Sequence, residues 1–209
     1  MRARRILIAG LAVATLPVLG AGAKQSHRCN PPHSRTVVKG RVGRVYTVPY
    51  GDEREVYGCS YETGRRTFLG SHYSDDLGGG FDVAPIVLRG AFVASNSSES
   101  GHSTGAYAEV SVHDLRSGKR LHVWADGGTP GDGWTEVTEL RLTGSRSAAW
   151  IAEVYCCSET VKRVIKADRS RRHAQELDHG MKLDPHYLRL SGRRIYWRRD
   201  GNTYSAPIR

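Results

Sequence analysis

The sequence predicts an all-β protein, built as a propeller-like array of about four short antiparallel blades in a small, open or incomplete ring. The first observation is a recurrence 54 residues apart: Leu88-Arg89-Gly90 precedes Asp114 by the spacing at which Leu142-Thr143-Gly144 precedes Asp168. A fixed period of this size is typical of blades or solenoid turns. The second observation is that 24 glycines accompany only three phenylalanines, a composition suited to short strands and tight turns.

The N-terminal segment predicts secretion. Three arginines precede an apolar run at 6–19, and Ala21-Gly22-Ala23 follows as a small-residue cleavage site, which is the pattern of a signal peptide. We therefore expect a signal peptide at 1–23, an extended arm at 24–35 and a single β-domain at 36–209. Loss of three leader arginines lowers the net charge from +10 to about +7. The alternative is an uncleaved membrane anchor.

Alternating apolar and polar residues predict the strands. The first unit has strands at 42–48, 55–61 and 67–69. The second has 85–88, 91–95, 106–113 and 120–124, and the third has 136–142, 148–155, 161–167 and 174–177. A shorter fourth unit has 187–190, 195–197 and 203–208. Polar or glycine-rich loops are expected at 72–80, 96–105 and 127–133, and Asp200-Gly201 predicts a tight hairpin.

The repeated segments resemble the blades of secreted bacterial β-propeller proteins of the broad TolB-like and WD-repeat kind. The resemblance is carried by 88–94 with 110–114 in the second unit, and by 142–144 with 149–152 and 164–168 in the third. It spans roughly 42–208. It implies a binding or scaffolding platform more than an enzyme, since such propellers act mostly through interaction.

Four cysteines allow three disulfide pairings in a secreted chain. Cys29 with Cys59 is the simplest pair, because it ties the arm to the first unit. Cys156 and Cys157 are adjacent in a predicted strand, so their side chains point to opposite faces or form a strained vicinal bridge. A redox or metal site at this pair is the alternative, but no further ligand follows at metal spacing.

A basic cluster near the C-terminus is the main candidate for ligand binding. Arginine next to aromatic side chains can hold phosphates, carboxylates or sugar faces. The candidate residues are Arg169, Arg171, Arg172, Arg193, Arg194, Trp197 and Arg198, with Tyr196 and Arg199 interleaved. The alternative is that 169–172 is a solvated hairpin turn and that Trp197 belongs to the core.

No catalytic pattern has the context that its chemistry needs. Ser103 lies in a Gly-x-Ser-x-Gly match, but the flanking segments are polar and strand-like rather than a strand followed by a helix. Loop carboxylates lack the spacing of calcium-binding loops. These are Asp75, Asp76, Asp82, Asp126 and Asp132. We expect neither a cofactor nor a metal centre.

The sequence therefore favours a secreted, non-enzymatic binding or scaffold module of the bacterial cell envelope. Its expected partner is an anionic envelope polymer or another extracellular protein. Nucleic acid is not an expected partner outside the cell, and the mature chain has no second apolar run that could span a bilayer. The alternative is an envelope-acting hydrolase that uses Ser103 or the loop carboxylates. A third possibility is a structural piece of a larger assembly, joined through open sheet edges.

Overall fold

The structure is a computed structural model, and it describes residues 26–74, 80–100, 107–126, 133–156, 159–169 and 173–209. The prediction of an all-β protein is confirmed, because these ranges contain sixteen strands and a single 3-10 turn at Ser26–Cys29. All strand pairs are antiparallel. No helix in the described ranges is long and apolar enough to cross a membrane.

The strands form three sheets. The first sheet has nine strands: β1 (Arg35–Lys39), β2 (Gly43–Tyr50), β3 (Glu53–Ser60), β4 (Arg66–Ser74), β5 (Gly80–Asp82), β6 (Ile86–Arg89), β7 (Phe92–Ser100), β8 (Tyr107–Asp114) and β9 (Lys119–Asp126). The second has β10 (Gly133–Leu142), β11 (Ala148–Cys156), β12 (Glu159–Ala167) and β13 (Gln175–Gly180). The third has β14 (Leu183–Ser191), β15 (Arg194–Arg199) and β16 (Asn202–Pro207).

The prediction of four separate blades is wrong. β5 pairs with β4 on one side and with β7 on the other, so the first two units merge into one sheet. The last sheet has only three strands, and none of the three sheets closes on itself within the described ranges. β4 and β7 also extend into segments predicted as loops, because pairing with neighbouring strands overrides the polar composition there.

The layers pack in chain order, with one apolar core between each successive pair. The two halves of the first sheet, β1–β4 and β6–β9, enclose a core that includes Val45, Val56 and Val93. The second half then packs on the second sheet around Trp150. The other face of the second sheet packs on the third sheet through Ile151 and its neighbours. Of the positions that recur 54 residues apart, Leu88 lies in β6 and Leu142 in β10, whereas Asp114 ends β8 and Asp168 directly follows β12.

The N-terminal arm covers the outer face of the first layer. The predicted disulfide between Cys29 and Cys59 is present, and it joins two fully buried residues whose Cα atoms are 5.5 Å apart. The Arg44 guanidinium donates to Asn30 Oδ1 at 2.6 Å and to Ser34 Oγ at 2.9 Å. Because one covalent bond and one buried arginine hold the same segment, the arm is part of the fold.

A polar clasp joins the last residues of the chain to the second sheet. The Asp168 carboxylate accepts a hydrogen bond from the Arg209 backbone N–H at 2.8 Å and lies 3.6 Å from Lys166 Nζ. Lys166 Nζ also donates to the Pro207 carbonyl at 2.9 Å. The Ser147 hydroxyl donates to the Arg209 carbonyl. The buried clasp therefore fixes the third sheet against the second.

We predict that Asp168→Ala lowers the free energy of unfolding by about 2–4 kcal/mol, because it leaves the buried Lys166 ammonium without its counter-charge. Urea unfolding measures the change. Glu109→Ala is the control, since it removes the carboxylate of a half-exposed ion pair with Arg120 and should cost under about 1 kcal/mol. Equal losses of unfolding free energy for the two variants would show that the clasp stabilises the fold no more than an exposed ion pair does.

A buried histidine lies between the two halves of the first sheet. His113 is 7% exposed, and its Nε2 atom lies 3.1 Å from Ser111 Oγ, which in turn lies 3.4 Å from Ser95 Oγ. Burial, with a smaller contribution from the charge of Arg120, lowers the pKa of His113 to about 4. The folded protein therefore holds this imidazole neutral.

Because of this histidine, the free energy of unfolding should decrease at acidic pH. The lowered pKa means that the folded state binds the proton less readily than the unfolded chain, whose histidine titrates near 6.5. The stabilisation is therefore complete above about pH 6.5 and decreases by about 3 kcal/mol as the pH falls to about 4. Urea unfolding across this window measures it. In His113→Gln this decrease in the free energy of unfolding should be absent. A pH dependence identical to that of the wild type would contradict the role given to His113.

Candidate functional site

Strand alternation in the third sheet separates an apolar inner face from a basic outer face. On β15, Ile195 and Trp197 are buried against the second sheet. Successive side chains of a strand point to opposite faces, so Arg194, Tyr196 and Arg198 lie on the other side. Arg194 and Arg198 are exposed, and Tyr196 is half-buried. The hydrophobic pattern of one short strand thus places its cations outward.

The neighbouring strand β14 completes this surface. Arg189 is paired across the sheet with Tyr196. The Tyr187 ring lies beneath two guanidinium groups, with Arg198 Cζ at 4.1 Å and Arg189 Cζ at 4.7 Å from its centroid. Both distances are within the range of cation–π contacts, which hold the guanidinium planes over the ring. We name the outer surface formed by Tyr187, Arg189, Arg194, Tyr196 and Arg198 the Arg–Tyr face.

Cations on this face are not neutralised by carboxylates. None of the guanidinium groups of Arg189, Arg193, Arg194 and Arg198 forms an ion pair with a carboxylate of the described residues. Arg194 Nη2 instead donates to Ser205 Oγ at 2.8 Å. Several other arginines in the described ranges, such as Arg66 on β4, likewise lack a carboxylate partner, and five form ion pairs with one. These pairs are Arg116–Glu62, Arg120–Glu109, Arg141–Glu139, Arg163–Glu176 and Arg199–Asp178.

Trp197 supports the Arg–Tyr face from behind. It is 5% exposed, and its Nε1 atom donates to Asp178 Oδ2 at 2.7 Å. The same carboxylate accepts a hydrogen bond from Arg199. The contacts of Arg199 with Tyr204 and with Asp178 raise the pKa of its guanidinium. Trp197 therefore occupies the core position given above as the alternative to ligand contact.

The remaining basic candidates are divided between different places. Arg193 is exposed at the β14–β15 hairpin, next to the Arg–Tyr face. Arg169 is exposed at the end of β12 in the second sheet, where its backbone N–H donates to Ser147 Oγ at 3.1 Å. Arg171 and Arg172 lie outside the described residues.

Sequence analysis missed Arg189 and Tyr187. Neither belongs to a run of charges, which was the signal that drew attention to 169–172 and 193–199. Both alternate with buried or half-buried leucines, Leu188 and Leu190, and this period of two would have placed them on the outer face of a strand. The register that brings Arg198 over Tyr187 depends on pairing between strands, which the sequence alone does not specify.

Most of the alternative catalytic and metal candidates lie outside the described residues: Ser103, Asp75, Asp76, Asp132 and Cys157. The backbone of Asp126 and Cys156 is described within strands, but their side chains are not. Asp82 lies on β5, where its carboxylate pairs with His72. No group of three or more metal-ligating side chains occurs among the described residues.

Comparison with known proteins adds no family assignment. The chain matches no protein-family model, and neither a curated protein nor a solved structure is significantly similar to it.

Proposed function

We propose that the protein is a secreted binding module that holds an anionic polymer of the bacterial cell envelope on its Arg–Tyr face. The observation that carries the proposal is a solvent-exposed sheet surface whose arginines have no carboxylate partner among the described residues. Fixed guanidinium groups form two parallel hydrogen bonds with a carboxylate or phosphate. Tyrosine rings add apolar area against sugar rings.

The spacing of the cations supports a polymer rather than a single small ion. Arg194 and Arg198 are four residues apart on one strand, which separates them by about 13 Å. Arg189 lies on the adjacent strand, about 5 Å away in the hydrogen-bonding direction. A chain that carries a negative charge on each repeating unit can meet several of these cations together. Several weak contacts of this kind add up to useful affinity.

An extracytoplasmic location supports this class of partner. The disulfide between Cys29 and Cys59 is typical of proteins outside the reducing cytosol. Anionic wall polymers and polysaccharides are the abundant polyanions there, whereas nucleic acid is not. An acidic extracellular protein would use the same arginines, so it is the competing partner.

We predict that Arg189→Gln, Arg194→Gln and Arg198→Gln together weaken binding to polygalacturonate about tenfold, at about 0.5 kcal/mol for each exposed charge contact. Isothermal titration calorimetry measures the affinity, with uncharged dextran as the negative control. Raising the salt from about 0.1 M to about 1 M shortens the screening length from about 10 Å to about 3 Å and should abolish binding.

A charge-matched variant tests whether binding depends on the Arg–Tyr face or only on the net charge of the protein. The control removes three exposed cations at the edge of the first sheet, which is distant in sequence from the Arg–Tyr face. The changes are Arg35→Gln, Lys39→Gln and Arg41→Gln. This variant should bind as the wild type does. Equal weakening by both triple variants would show that net charge alone, and not the Arg–Tyr face, determines binding. Absence of binding at low salt would also overturn the proposal.

A further inference from the structure

A second polar site lies on the first sheet, where three adjacent strands bring charged side chains into one row. Arg54 on β3 is paired across the sheet with His72 on β4. The next pairing places Tyr73 opposite Phe81, so Asp82 on β5 faces His72. The row crosses the point at which β5 joins the two halves of the sheet.

His72 and Asp82 form a hydrogen-bonded histidine–carboxylate pair. His72 Nδ1 is bonded to Asp82 Oδ1, and this hydrogen bond is the largest cause of the lowered pKa of the Asp82 carboxyl. A neutral imidazole that donates from Nδ1 carries its lone pair on Nε2. His72 Nε2 has no hydrogen-bond partner among the described residues. In the neutral imidazole, Nε2 can therefore accept a proton.

The pair lines a cavity of about 340 Å³. The other lining residues are Asp52, Arg54, Tyr73, Ser74 and Phe81. The side chains of His72 and Asp82 are 34% and 55% exposed, so solvent water reaches them. The volume lies at the lower end of the range for small-molecule sites.

We propose that this cavity hydrolyses small, uncharged carboxylic esters, with His72 as general base, Asp82 as its positioning residue and Arg54 as the group that stabilises negative charge. A water molecule attacks the ester carbonyl carbon while its proton passes to His72 Nε2. The tetrahedral oxyanion is stabilised by the Arg54 guanidinium. Collapse of this intermediate breaks the bond to the alcohol oxygen, which takes the proton from Nε2. The products are a carboxylic acid and an alcohol, and the imidazole returns to its neutral form.

Charge and size define the substrate class. The lining carries one guanidinium and two carboxylates, so its net charge is −1 while the imidazole is neutral. An anionic ester would be repelled, whereas an uncharged one is not. The small volume favours short acyl groups. This site lies on the first sheet and shares no residue with the Arg–Tyr face, so each proposal can fail without the other.

The test is the rate of p-nitrophenyl acetate hydrolysis by the full mature chain, compared with free imidazole at the same concentration. We expect saturation with substrate and a rate above that of imidazole. His72→Gln should lower kcat by about a hundredfold, the typical contribution of a general base. Both side chains are partly exposed, so near-ultraviolet circular dichroism should report an unchanged fold.

His179 provides a matched control. Its Nδ1 lies 2.9 Å from Glu176 Oε1, which reproduces the histidine–carboxylate pair on an open surface where the side chain is 68% exposed. His179→Gln should leave the rate unchanged. An equal loss in both variants would assign the hydrolysis to any exposed imidazole, and a wild-type rate no higher than that of free imidazole would equally overturn the proposal.

Asp82→Asn tests the positioning role. It should lower kcat at least tenfold with little change in KM, since the carboxylate stabilises the imidazolium rather than the bound ester. An unchanged kcat, or a loss that appears in KM alone, would contradict the role given to Asp82.

Discussion

The structure depends on the burial of both faces of the second sheet. Every residue from Ser147 to Ala152 is buried, with Trp150 facing the first sheet and Ala149 and Ile151 facing the third. A strand that is apolar on both faces must be covered on both sides, because exposed apolar surface costs about 25 cal/mol per Å². The third sheet provides one of these covers with its inner face. Its outer face is thereby left to solvent, and that face carries arginines that have no carboxylate partner among the described residues.

Arginine–tyrosine contacts occur at both ends of the layered stack, and the two described here differ in burial. On the first layer, Arg44 lies 4.5 Å from the Tyr46 ring centroid, but both residues are buried beneath the disulfide-linked arm. On the third sheet, Arg198 over Tyr187 has no such cover. A guanidinium that is buried and bonded to Asn30 and Ser34 contributes to folding. A guanidinium that is exposed retains its donors for a ligand. Burial, not residue type, therefore distinguishes the arginine that contributes to folding from those that remain accessible to solvent.

Local signals predicted much of the fold. Asp200-Gly201 forms the expected hairpin with positive φ at both positions, and the simplest of the three possible cysteine pairings, Cys29 with Cys59, is the disulfide present. Long-range pairing escaped prediction. The three-residue strand β5 has too few residues for a periodic signal, yet it merges two units into one sheet and brings Asp82 to His72. The Arg–Tyr face was found in part, through its charge run. Its remaining members required the register between β14 and β15.

The most direct test of the central claim is to locate the bound polyanion on the protein. Two-dimensional ¹H–¹⁵N NMR of the protein, titrated with a short oligogalacturonate at low salt, reports each backbone amide separately. We expect the amide shifts to be concentrated in β14 and β15, at Arg189, Tyr196 and Arg198. Shifts centred on the first sheet, for example around Arg66 and Phe68, would place the ligand elsewhere and contradict the claim that the Arg–Tyr face is the binding surface.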